Sequence, residues 1–248
     1  MVHDRASFGG VLLAIGTLYL WLIEFPLRAK MAWSWWTLLL SGATGFASFL
    51  AYLGFGYLDV WHGVATLALL PCFVLGLVFS WRSLKGTRDA ACLLKPAAWT
   101  SWLSTYGIGR AGLLLGGLGV AGAGMTILTV GMTSVFVPQD LAFMGVSAAE
   151  LRSLNPRLVP LIAHDRAGFG GALLSCGVAL SLCVWCAKLS PSLWQALALV
   201  WAGGFVPTLA VHLAIGYTDP IHLAPALTGA VLSLIGLGLT YRPMMRPK

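Results

Sequence analysis

The sequence predicts an all-α integral membrane protein of seven transmembrane helices, built as two parallel three-helix repeats joined by a glycine-rich helix. Three observations predict it. Hydrophobic residues make up 58% of the 248 residues and charged residues only 9%, with a mean hydropathy of +0.86. A soluble globule carries about 25% charged residues to clothe its surface, so this composition excludes soluble, disordered and disulfide-stapled secreted chains. Apolar windows near 20 residues, the length that crosses a bilayer core, recur seven times. Two short polar motifs also occur twice, in the same order.

The windows run Phe8–Ile23, Trp35–Phe55, His62–Trp81, Gly112–Phe136, Phe169–Ala187, Leu193–Ile215 and His222–Tyr241. Each is bounded by charge, proline or a Gly-Tyr pair. Strands of a membrane barrel would alternate polar and apolar residues over about ten positions, and these windows do not. The fourth window is dense in glycine, including Gly112-x-x-x-Gly116. Such spacing lets helix backbones approach closely, and predicts that this helix packs centrally. A long loop, Val137–Ala163, follows it.

Basic residues set the orientation. Eleven of the 15 Lys and Arg fall on the side where the first helix ends, and four (Arg5, Arg152, Arg157, Arg166) on the side where it begins. The basic side is therefore expected in the cytoplasm, with the N-terminus outside and the C-terminus inside, in a bacterial cytoplasmic membrane. The net charge of +7 then reflects topology and contact with the lipid bilayer, not nucleic acid. Cys72, Cys176, Cys183 and Cys186 fall within spans and Cys92 in a cytoplasmic loop, so no disulfide framework is expected. Cys183-x-x-Cys186 reads as small apolar residues in a helix rather than a redox pair.

The repeat is carried by two motifs. His3-Asp4-Arg5-Ala6 with Phe8-Gly9-Gly10 recurs as His164-Asp165-Arg166-Ala167 with Phe169-Gly170-Gly171, and Gly56-Tyr57-x-Asp59-x-x-His62 recurs as Gly216-Tyr217-x-Asp219-x-x-His222. Residues 1–85 form the first unit and 164–248 the second, with 86–163 holding the cytoplasmic loop, the glycine-rich helix and the extracytoplasmic loop. Aligning 41–80 with 201–240 gives eight identities, four of them in the Gly-Tyr motif. In the helices only Leu and Gly match. The second unit is preceded by the glycine-rich helix, the first by Met1-Val2 alone, so a missing upstream helix or another membrane subunit is expected beside the first unit. The duplicated pattern resembles that of a group of uncharacterised bacterial multi-pass membrane proteins, a resemblance that implies a membrane location and no particular activity.

All five histidines and six of the eight acids lie on the side where the first helix begins. Two readings of them stand side by side. In one, Asp4, Asp59, Asp165 and Asp219 cap helices, as Asp219-Pro220 suggests. Arg5 or Arg166 then clasps a first helix to a third as part of a non-enzymatic subunit or carrier. In the other, His3, Asp4, Asp59, His62, His164, Asp165, Asp219 and His222 ligate a transition metal (Zn, Fe, Mn or Cu) in a redox or hydrolytic site. Imidazole with carboxylate is the usual ligand set for such ions, and capping alone does not call for histidine. His212, which replaces Tyr52 of the first copy, is an additional candidate beside Tyr57, Tyr217, Arg5 and Arg166. Haem, with His62 and His222 or His3 and His164 as axial pairs, ranks below a bare ion because membrane cytochromes place such histidines deeper. Each repeat carries a complete set, so two separate sites, each within its own three helices, are expected.

Overall fold

The computed structural model describes residues 2–51, 57, 60–86, 88–97 and 101–246. Every regular element among them is helical: α1 (Val2–Leu22), α2 (Ala32–Ala47), α3 (Val60–Ser83), α4 (Thr105–Met132), α5 (Pro138–Met144), α6 (Ala148–Leu154), α7 (Leu158–Cys186), α8 (Pro191–Ile215) and α9 (Pro220–Met245). Six stretches are long and apolar enough to cross a membrane, namely α1 with its extension to Leu27, α3, α4, α7, α8 and α9. The seventh expected span is described only in part. The Trp35–Phe55 window becomes a 16-residue helix followed by a 3-10 turn, Ser48–Ala51. Residues 52–55, the end of that window, lie outside the described residues.

Local chemistry fixes the boundaries. Ser104, Ser190 and Asp219 cap α4, α8 and α9 by accepting from the backbone N–H of Gly107, Leu193 and His222, and Pro191 and Pro220 occupy first-turn positions that need no amide hydrogen. Gly216, with φ +74°, ends α8 in the left-handed region that glycine tolerates. Pro26 interrupts the hydrogen-bond ladder of α1, which widens into a π turn over Ile23–Leu27 before Lys30 reverses the chain at φ +65°.

Helix α7 is the most buried span, packed by α4, α2 and α1. Its seam with α4 depends on glycine. A Cβ at Gly170 would drive into the backbone of Leu128, one at Gly177 into that of Ala121, and one at Gly124 into that of Leu174. Expected as a central helix, α4 instead packs tightly on one face, against α7 and α9, while Gly119 and Gly122 have no neighbour within 4 Å. Small residues permit close approach on the face that carries a partner; they do not force all faces inward. Arg110, one of the eleven basic residues on the expected cytoplasmic side, is buried and donates to the Val184 carbonyl at 2.9 Å and to that of Trp185. It thereby satisfies acceptors that the last turn of α7 leaves open.

The first helices pack across the duplication. α1 lies against α8, and α7 lies against α2. Gly10 admits the Gly203 carbonyl and Pro207 ring of α8, whereas Gly171 admits the Ser48 side chain that follows α2. Trp35 donates to the Leu77 carbonyl at 2.9 Å and Trp194 to the Leu237 carbonyl at 2.9 Å, so each tie joins a second helix to a third within one unit.

Candidate functional site

The packing of α1 on α8 brings His3, from the first turn of α1, to His212, in the last turn of α8, and to His222, in the first turn of α9. One nitrogen from each ring lies within 4.8 Å of the others. His3 Nε2 sits 2.8 Å from His212 Nε2, and the two rings meet edge to face. Tyr217 stacks on His222 with centroids 4.4 Å apart.

The hydrogen-bond partners on the far side of two rings determine what the near nitrogens offer. His212 Nδ1 is 2.6 Å from the Thr208 carbonyl, which can only accept, so Nδ1 carries the hydrogen. His3 Nδ1 is 3.0 Å from Asp4 Oδ1 and donates to it. Both Nε2 atoms then present lone pairs to each other across 2.8 Å. Two acceptors at that separation repel unless a cation, a proton or a metal ion, lies between them. A carboxylate or a carbonyl behind each imidazole is also the arrangement that fixes histidine ligands in metal sites.

A second cluster lies beside the first. His62 Nδ1 is 3.0 Å from His164 Nε2, and the Tyr57 ring meets the His164 ring at 5.2 Å. Asp165, next to His164, accepts from Arg5 Nε at 2.9 Å, while Arg166 Nε lies 3.9 Å from Asp4 Oδ2. The two His-Asp-Arg motifs therefore pair reciprocally, the arginine of each copy with the aspartate of the other. Expected within single repeats, the clusters run between them: His3 of the first copy joins His212 and His222 of the second, and His164 of the second joins His62 of the first. Among the described residues, the arginine clasp joins α1 to α7. The physical cause is the exchange that seats each first helix on the other unit's second helix.

Further expectations are corrected by the same geometry. The suggested haem pairs, His62 with His222 and His3 with His164, are not the rings brought together. Asp219 caps α9 through the His222 N–H at 2.8 Å, as its sequence suggests. Asp165 does not cap, because α7 begins at Leu158, two turns earlier. Asp59 and Tyr52 lie outside the described residues.

Sequence reasoning does not single out one residue of this cluster. Asp140, in the first turn of α5, takes Arg166 Nη1 at 2.8 Å and the Tyr217 hydroxyl at 3.0 Å. Burial works against its charge, but Arg166, the Val137 N–H and Tyr217 prevail and hold its carboxyl below the usual aspartate value. Burial and the neighbouring Asp140 carboxylate push the Tyr217 hydroxyl well up, so it stays a neutral donor. Asp140 lies in a segment without repeat partner, and its one signal in the sequence is that it shares a side with five other acids. A cleft of about 250 Å³, lined by His3, Asp4, Phe136, Phe143, Arg166 and Tyr217, opens beside this cluster.

Compared with known proteins, the chain matches no family model, no curated protein and no solved structure.

Proposed function

We propose that the chain is a seven-span membrane protein, two parallel three-helix units joined through α4, that binds a transition-metal ion at His3, His212 and His222 on its extracytoplasmic face. The observation that carries this reading is the 2.8 Å approach of two imidazole Nε2 atoms, with Asp4 and the Thr208 carbonyl each bound to the Nδ1 behind them. An ion bound at the usual zinc–nitrogen length would open that gap only slightly, to roughly 3.3 Å. His222 supplies a third nitrogen. Three protein ligands leave a coordination position for water or substrate, the pattern of catalytic rather than structural zinc. An all-imidazole set favours Zn, Cu or Fe over Mn.

The distribution of basic residues supports placing this end outside a bacterial cytoplasmic membrane. The neighbouring cleft, apolar apart from His3, Asp4, Asp140, Arg166 and Tyr217, suits a lipid-soluble or periplasmic substrate for hydrolysis or electron transfer. A second reading draws on the reciprocal arginine pairs: the clusters clasp α1 to α7 in a non-enzymatic component, with a proton shared between His3 and His212. Elemental analysis of the purified full chain, after equilibration with zinc and removal of free ion, separates them. About one ion per chain, lost in His212→Ala, is the expected result. A folded, metal-free wild type would assign the residues to the clasp.

A further inference from the structure

Three glycines are shared by matching positions of the two units, and their surroundings differ. Gly170 and Gly177 of α7 are buried where α4 crosses them, at Leu128 and at Ala121, and Gly236 of α9 is buried where Leu113 and the Gly109 carbonyl of α4 reach it. Their counterparts in the first unit are Gly9 and Gly16 of α1 and Gly76 of α3. None of these three has any atom within 4 Å of where a Cβ would stand, and all three are exposed. The second unit thus uses its glycines to seat α4, running antiparallel to α7 and α9. The first unit has the same glycines and, among the described residues, nothing on them.

Exposed glycine in a helix lowers helix propensity and returns no packing. The aligned third helices of the two units, residues 60–80 and 220–240, share only His62, Leu67, Gly76 and Leu77. A face that met only lipid would have no use for Gly9, Gly16 and Gly76 together. In membranes, where apolar burial does not drive association, small residues are what let helices bind.

From this we infer that α1 and α3 form the seat for a transmembrane helix of a partner polypeptide, lying antiparallel to α1 and presenting glycine or alanine toward Gly9, Gly16 and Gly76. The inference rests on the duplication and not on any metal. Its chemistry is that of α4 itself, whose Gly109, Gly117, Ala121 and Gly124 make the corresponding contacts on the second unit.

The chain carries its own reporter. Cys72, exposed on α3, occupies the position matching Leu232, whose carbonyl lies 3.7 Å from a Cβ built at Gly112 of α4. A synthetic helix with the sequence of residues 101–135 and Gly112→Cys, reconstituted with the full-length protein in vesicles, is expected to form a disulfide with Cys72 under mild oxidation, at least tenfold more than the same helix carrying Gly119→Cys. Gly76→Leu in the full chain, a position with room for the side chain, should remove that preference while the protein stays folded. Equal linkage by both helices, or none, would show that lipid covers this face and overturn the inference. Preferential Cys72–Cys72 linkage between two chains would overturn it in favour of a second copy.

Discussion

The two histidine clusters come from the same duplicated motifs and yet differ in what they hold. Around His3, three rings converge, Asp4 and the Thr208 carbonyl fix two of them, and Asp140 from α5 ties Tyr217 and Arg166 alongside. Around His164, among the described residues, one further histidine, His62, approaches, with Tyr57 at the ring edge. In the sequence, His212 stands where the first copy has Tyr52, and the segment that carries Asp140 has no counterpart before the first copy. Similar motifs thus lie in two unlike surroundings, and only the His3 group brings one nitrogen from each of three rings within 4.8 Å among the described residues.

The largest expected effect breaks the comparison outright. His222→Ala should weaken metal binding by more than about 100-fold, since a ligand matters at least as much as the outer-shell groups whose loss costs 10–100-fold. His62→Ala should leave the stoichiometry unchanged. Isothermal titration with zinc on both variants checks this, and equal losses would merge the clusters into one shared centre.

Asp4→Asn sharpens it. Without the carboxylate behind His3, affinity should fall about 10–100-fold, whereas Asp165→Asn, which loosens the Arg5 pair, should change metal affinity by less than a few fold. The same titration decides it.

The asymmetry of Asp140 gives a pH-dependent effect. Its folded carboxyl titrates below the ordinary aspartate value, so the stabilisation it contributes is complete above that value, near 4, and drains away as pH falls through the depressed folded value. Thermal unfolding of wild type and Asp140→Asn should differ by about 1.5–3 kcal/mol at pH 7, the range for a hydrogen bond to a charged group, and converge in acid. A difference that persists unchanged at pH 2 would contradict this. Tyr217→Phe removes a single donor to Asp140 and is expected to cost about 0.5–1.5 kcal/mol, read in the same melts at neutral pH.

Much of this fold is legible in the sequence because bilayer-length apolar runs are set by one number, the thickness of hydrocarbon. Where polar residues enter a helix, that signal fails. The window for α7 begins at Phe169, but the helix begins at Leu158, since His164, Asp165 and Arg166 depress the hydropathy of turns that are nonetheless helical. Of the short helices read as loop, α6 is held by a capping box between Ser147 and Glu150, and α5 by Asp140, which accepts from the Val137 N–H. The candidate residues were legible as types and as a common side of the bundle. Their partners were not. Which imidazole meets which depends on α1 crossing to α8 and α7 to α2, with Gly10 and Gly171 at the close approaches, and spacing along one chain does not encode which helices meet.

The central claim, a metal ion held by His3, His212 and His222, is tested most directly by X-ray absorption at the metal edge of the zinc-loaded full-length protein. The account predicts three imidazole nitrogens at about 2.0–2.1 Å, with one imidazole missing or the ion lost in His222→Ala and the signature unchanged in His62→Ala. A first shell of oxygen or sulfur without imidazole, or one that responds equally to both variants, would contradict it.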